Sequence, residues 1–164
     1  MPVELRNTQR RVKLDLRRLR RDAQHLLAAV GREDQTLSVL IADDREMGRL
    51  HERWMNLPGA TDVLSFAARG DTDLGMPGSA ASGARAGMVR VLRIRAAAPP
   101  PLILGDIAIS AETAARRRPA DPQRETLRCL THGLLHLIGL DHRTRAQRLR
   151  MNRRARALVR RVGH

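Results

Sequence analysis

Several residue types are nearly missing from this 164-residue chain, and each absence removes a class of function. Cys129 is the only cysteine, so no intrachain disulfide can form and no cysteine-based zinc knuckle can be assembled. Tyrosine is absent and the aromatic residues are Trp54 and Phe66 alone, too few for the stacking platform with which RRM and OB-fold proteins hold bases. Lysine is reduced to Lys13; the other 30 basic residues are arginine. No run approaches the roughly 18 apolar residues of a membrane span. The segment Met1 to Arg6 lacks the apolar stretch of a secretory signal, so the expected location is the cytoplasm, with no membrane partner.

What is abundant is positive charge. Against 17 acidic residues stand 31 basic ones, a formal charge of +14 with a pI near 11.8, which makes nucleic acid the first partner class to consider. An arginine-rich, alanine-rich and proline-rich composition is what a GC-rich gene would encode, yet the charge acts on phosphate whatever its origin. Guanidinium groups fork onto phosphate oxygens. With so few aromatics, RNA binding must rest on phosphate contacts. Apolar residues at 42% against 29% charged suffice for one modest core, so the expectation is a single domain over 1–164.

Val3 and Leu5 alternate with polar neighbours as a short strand ending at Asn7. Leu16, Leu19, Ala23, Leu26, Leu27 and Val30 then recur at helical spacing before Gly31. Leu37 to Ala42 reads as a buried strand, and Asp44 suits the N-cap of a helix running through Trp54. The order so far is βαβα. Residues 61–66 and 102–110 give a third and a fourth strand. Between them, residues 67–101 are rich in Gly, Ala and Pro and aperiodic, the pattern of a flexible insertion. Inside it, Met88 to Arg95 fits a solvated loop, an added edge strand or a basic arm. Asp121-Pro122 opens a helix to Ile138, and Met151, Ala155, Leu158 and Val162 mark one face of a terminal helix.

The most informative stretch runs from His132 to His142 and reads H-x-x-x-H-x-x-G-x-x-H. Spacing of four puts His132 and His136 one turn apart on one helix face, where both imidazoles can reach one ion. Gly139 can take a left-handed turn that swings His142 back toward them. Three neutral nitrogen ligands suit Zn²⁺ and leave a fourth position open, the pattern of catalytic zinc. Chance clustering explains this poorly, because half of the six histidines fall within eleven residues of a locally apolar helix, where unpaired imidazoles would be costly. His25, His51 and His164 lack such spacing and read as surface or packing residues, and Cys129 as a small buried thiol. The spacing equals that of metzincin proteases, but Gly133 stands where their catalytic glutamate would be. Asp141 is the nearest carboxylate. It could orient a ligand histidine from behind, accept a proton from water, or cap the turn after the helix.

His132-Gly133-Leu134-Leu135-His136-Leu137-Ile138-Gly139-Leu140-Asp141-His142 resembles the H-G-x-L-H-L-x-G-x-D-H hallmark of the YbeY family of bacterial endoribonucleases and rRNA maturation factors. Thr61 to Phe66 is similar to that family's T-[DN]-V-L-S-F strand, and Leu104 to Ile107 to its L-G-D-I strand. The resemblance covers most of the chain outside 67–101. It implies an α/β (α+β) fold: a small mixed four-stranded sheet packed with about five helices around a zincin-like three-histidine site. It implies one Zn²⁺ held by His132, His136 and His142, and a single-strand endoribonuclease in 16S rRNA 3′-end maturation and ribosome quality control, with the small ribosomal subunit as partner and no small-molecule cofactor. One position departs. Where the family commonly has an arginine thought to contact RNA, this chain has Met55, with Arg53 two residues earlier.

Two other readings stay open beside the nuclease: a zinc-stabilised ribosome assembly factor with little turnover, and a metalloprotease, which Gly133 disfavours. The nine arginines between Arg143 and Arg161 surround the apolar stripe of the terminal helix. They serve either docking on rRNA or plain solvation.

Overall fold

A computed structural model describes residues 3–68 and 102–163. The elements are β1 (Val3–Asn7), α1 (Leu16–Ala29), β2 (Thr36–Ala42), α2 (Asp44–Met55), β3 (Val63–Ala67), β4 (Ile103–Ser110), α3 (Ala111–Arg117), α4 (Pro122–Leu137) and α5 (Arg145–Val162). The sheet order is β1-β2-β4-β3. β1, β2 and β4 are parallel and β3 runs antiparallel along β4, so the mixed four-stranded sheet with five helices agrees with the sequence reading. The parallel step from β1 to β2 needs a crossover, which α1 supplies.

The alternation of the strands divides the sheet's apolar residues between two faces. Leu37, Val39 and Ile41 of β2 and Ile107 and Ile109 of β4 share a core with Leu19, Leu26 and Leu27 of α1, Leu130 and Leu134 of α4, and Met151 and Leu158 of α5. On the other face a smaller cluster joins Ala42, Leu64 and Ala108 to Met47 of α2. α4 thus lies across β3 and β4 with its inner side buried, leaving its outer side for chemistry. Gly105 lets the sheet tolerate this packing. A Cβ built there would sit 2.3 Å from the Phe66 carbonyl oxygen, at the point where the β2–β4 register shifts.

Several boundaries differ from the sequence reading, by one residue at the start of β4 and the ends of α2 and α4 and more informatively elsewhere. The N-cap of α2 is Asp43, whose carboxylate accepts from the Glu46 amide, and Asp44 is the first helical residue. Thr61 and Asp62 precede β3 instead of belonging to it, and Ala67, assigned to the insertion, closes β3 opposite Gly105. Ala68, also assigned to the insertion, donates its amide to the Leu104 carbonyl (3.2 Å), and residues 69–101, including Met88 to Arg95, lie outside the described residues. α3, absent from the sequence reading as a separate element, is capped by Ser110, whose hydroxyl accepts from the Thr113 amide.

Freed from the cap, Asp44 clasps α2 to α3. Its carboxylate accepts from Ser110 Oγ (2.6 Å), Thr113 Oγ1 (2.8 Å) and Arg116 Nη1 (2.6 Å). Burial alone would raise its pKa, but the Arg116, Ser110 and Thr113 hydrogen bonds outweigh that and bring it to about 2. A carboxyl depressed from 3.8 stabilises the fold fully above about pH 4 and loses that contribution as pH falls toward 2. Asp44→Asn should therefore cost about 1–2 kcal/mol at pH 7, discounted for the exposure of Arg116. Urea denaturation at pH 7 and pH 3 checks this: the gap between variant and wild type should narrow at the lower pH, and an equal gap at both would refute the linkage.

Candidate metal centre

α4 begins as its sequence dictates, with Asp121 as N-cap accepting from the Arg124 amide and Pro122 in the first turn. It ends in a reverse turn. The Gly139 amide bonds the His136 carbonyl and the Leu140 amide bonds the Leu135 carbonyl, with Gly139 at φ +90°, the double closure that a left-handed residue makes possible. The chain that follows is braced by Asp141, which accepts from the His142 amide (2.7 Å) and from Arg143 Nε (2.6 Å). Both carboxylate oxygens of Asp141 are thus engaged by the loop itself, and its charge also acts on His136.

These two devices bring His142 back against the helix. The imidazole centroids of His132, His136 and His142 lie 4.8, 4.9 and 5.6 Å apart, and one nitrogen from each falls within 4.8 Å of the others. His132 Nε2 and His136 Nε2 face each other at 3.2 Å. Two nitrogens bound tetrahedrally to one zinc at about 2.0–2.1 Å would stand about 3.3 Å apart, so this pair already has the span of one coordination edge. All three rings are half-buried. Burial, then the neighbouring His136 and His142 and the Arg128 charge, push the His132 imidazole down to about 4. His136 is lowered chiefly by burial and then by His142. A depressed imidazole stays neutral well below pH 6.5, with its lone pair available to a cation. The donor set fits zinc.

Gly133 is buried and faces the sheet. A Cβ there would lie 3.0 Å from Ile107 Cγ2 and 3.2 Å from Val63 Cγ2, so this position packs α4 onto β3 and β4 instead of lining the histidine cluster. Cys129 is fully buried, and desolvation drives its thiol up to about 12, which makes it an inert core residue. His25 is exposed, and His51 Nδ1 lies 2.8 Å from the Gly59 carbonyl; His164 lies outside the described residues. Met55 is 48% exposed at the end of α2, and the Arg53 guanidinium sits over the Trp54 ring at 5.6 Å.

The sequence reading missed a charged group beside the histidines. Asp62, just ahead of β3, pairs with Arg117 of α3 and lies 3.8 Å from Arg128 of α4, which also bonds Glu125 at 2.7 Å. Asp62 and Arg128 both act electrostatically on His132. The signal for Arg128 was present: it stands four residues before His132, hence one turn away on the same side of α4.

Comparison with known proteins gives a consistent result. The family model described as Endoribonuclease YbeY matches residues 4–163. The protein named Endoribonuclease YbeY of Anaeromyxobacter dehalogenans (strain 2CP-C) is 39% identical over 150 residues, which are 90% of this chain and 64% of that protein. Its namesake in Anaeromyxobacter sp. (strain Fw109-5) is 36% identical over 166 residues, 99% of this chain and 73% of the relative. That of Thermobifida fusca (strain YX) is 38% identical over 135 residues, 80% and 75%. The chain thus spans just under two thirds of the first relative's length and about three quarters of the others'.

Proposed function

The chain belongs to the YbeY family, and from that membership and its three-histidine site we propose that it is a zinc-dependent endoribonuclease cutting single-stranded RNA, in 16S rRNA 3′-end maturation and ribosome quality control. The observation that carries the metal part is the convergence of three half-buried imidazole nitrogens, two of them already at the spacing of one coordination edge. His132, His136 and His142 would hold one Zn²⁺. When bound, zinc supplies Lewis acidity toward a phosphoryl oxygen and toward the water that attacks phosphorus. The protein's own residues do the rest. Asp141 fixes the loop that presents His142, and Arg128, held by Asp62 and Glu125, places a cation one turn from His132 where a phosphodiester carries its charge.

The working partner in this reading is the small ribosomal subunit, met in the cytoplasm, and the domain is one YbeY-like unit over 1–164 with an insertion between β3 and β4. No described helix is long and apolar enough to cross a membrane. The protease alternative draws no support from Gly133, which packs on the sheet.

Elemental analysis of protein purified without chelator, followed by incubation with single-stranded and duplex RNA, tests the proposal. Expected are about one zinc per chain, scission of the single strand with the duplex spared, arrest by EDTA and recovery on adding zinc. Zinc without cleavage would favour the assembly-factor reading. Protein free of metal that still cuts RNA would defeat the metal assignment.

A further inference from the structure

A concave surface of the described residues lies away from the histidines. It is a cleft of about 460 Å³ lined by Arg118 after α3, Arg124, Glu125 and Arg128 of α4, and Arg156 and Arg160 of α5. Five arginines from three segments of chain line it together with one carboxylate residue, Glu125. That carboxylate is already engaged: Glu125 bonds Arg128 at 2.7 Å and lies 4.0 Å from Arg118. Arg124, Arg156 and Arg160 are exposed and form no ion pair among the described residues. A solvated helix face disperses its charges, and this arrangement gathers them.

Arg128, which lines the cleft, stands one turn of α4 from His132. Arg124, Arg128, His132 and His136 follow one another at intervals of four along α4. At a rise of 1.5 Å per residue, Arg128 lies about 6 Å and Arg124 about 12 Å along the axis from His132. Steps of that size are comparable with the distance between neighbouring phosphates of an extended strand. No aromatic side chain lines the cleft, so it offers forks for phosphate oxygens and nothing that reads a base.

We propose that this arginine cleft binds the sugar-phosphate backbone of single-stranded RNA on one side of the site of cleavage, independently of sequence, with Arg128 joining it to the histidine centre. The inference rests on the RNA-cleaving reading above for its substrate class. It assigns a direction to the bound strand: from the histidines along α4 toward its N-terminus, between α4 and the C-terminal half of α5.

Binding of a labelled single-stranded RNA oligonucleotide, measured by fluorescence anisotropy in chelator across a range of KCl concentrations, separates this from the effect of net charge. The variant Arg124→Ser/Arg156→Ser/Arg160→Ser removes three cleft cations that form no ion pair among the described residues. A control, Arg10→Ser/Arg17→Ser/Arg49→Ser, removes three exposed arginines elsewhere. The cleft variant should bind at least about tenfold more weakly, with the slope of log K against log salt reduced by about 2, since each phosphate contact on a single strand contributes roughly 0.7. The control should change by about twofold or less, and the melting temperatures should match. Equal losses in both variants, or none in either, would overturn the cleft. So would polyglutamate competing as well as RNA per unit charge, which would mark a dock for an acidic protein. With zinc restored, the cleft variant should show a higher KM at nearly unchanged kcat. If wild type fails to cut RNA while the cleft variant still binds it more weakly than the control, the nuclease reading falls and the cleft stands; normal cutting with unaltered affinity and KM in the cleft variant does the reverse.

Discussion

Replacing His136 with alanine should leave a folded protein that retains no zinc and cleaves RNA at least about a thousandfold more slowly than wild type. His136 is the middle member of the cluster, with its Nε2 3.2 Å from that of His132 and its ring 4.9 Å from that of His142. Without it, two imidazoles remain that no longer close a coordination face. The fold has little reason to fail, because the side chain is half-buried and contributes to neither apolar cluster. In chelator, the unfolding free energies of variant and wild type should agree within about 1 kcal/mol. Zinc at a hundredfold excess over its dissociation constant should then stabilise wild type by about 2.7 kcal/mol and leave the variant unmoved. The paired measurement separates a lost ligand from a damaged protein. A variant that keeps stoichiometric zinc would show that His132 and His142 need no third imidazole.

The histidine centre was legible in the sequence because its determinants are local. Spacing of four on a helix, a glycine at φ +90° and a loop braced by Asp141 all lie within eleven consecutive residues. The strands and long helices were legible for the same reason, each carrying its own periodicity. α3 was not: at seven residues it is too short to show a period, and its one clear mark is the Ser110 cap. Asp43 and Asp44 are equally good caps in one dimension, and only the contacts of Asp44 with Ser110, Thr113 and Arg116 across the fold settle which of them caps α2. The arginine cleft was half visible. Arg124 and Arg128 follow the histidine spacing backward along α4, whereas the approach of Arg156 and Arg160 depends on how α5 folds back onto α4. The sheet order likewise depends on long-range pairing that no local pattern encodes.

Writing the protease motif into this chain should destroy the protein instead of converting it. Gly133→Glu restores H-E-x-x-H on paper, yet residue 133 lies about 100° around the helix from His132 and faces the sheet. Its Cβ would meet Ile107 Cγ2 at 3.0 Å, Ile107 Cδ1 at 3.2 Å and Val63 Cγ2 at 3.2 Å, with the carboxylate beyond them in an apolar layer. Overpacking alone costs about 1–3 kcal/mol, and an unpaired buried carboxylate adds several more, of the order of the whole stability of a domain this size. Gly133→Ala is the informative partner. It inserts the same Cβ without the charge, and the roughly 1 kcal/mol that alanine gains over glycine within a helix offsets much of the crowding, so the net change should stay within about 1 kcal/mol. Circular dichroism and urea denaturation of both variants, with a peptide panel for any soluble Gly133→Glu protein, decide the matter. A folded glutamate variant that hydrolyses peptides would mean that α4 can turn this position toward the histidines. An unfolded glutamate variant beside a stable alanine one would mean that the contact of α4 with Ile107 and Val63 accepts a methyl group but not a longer charged side chain, so that the protease's glutamate has no place at position 133.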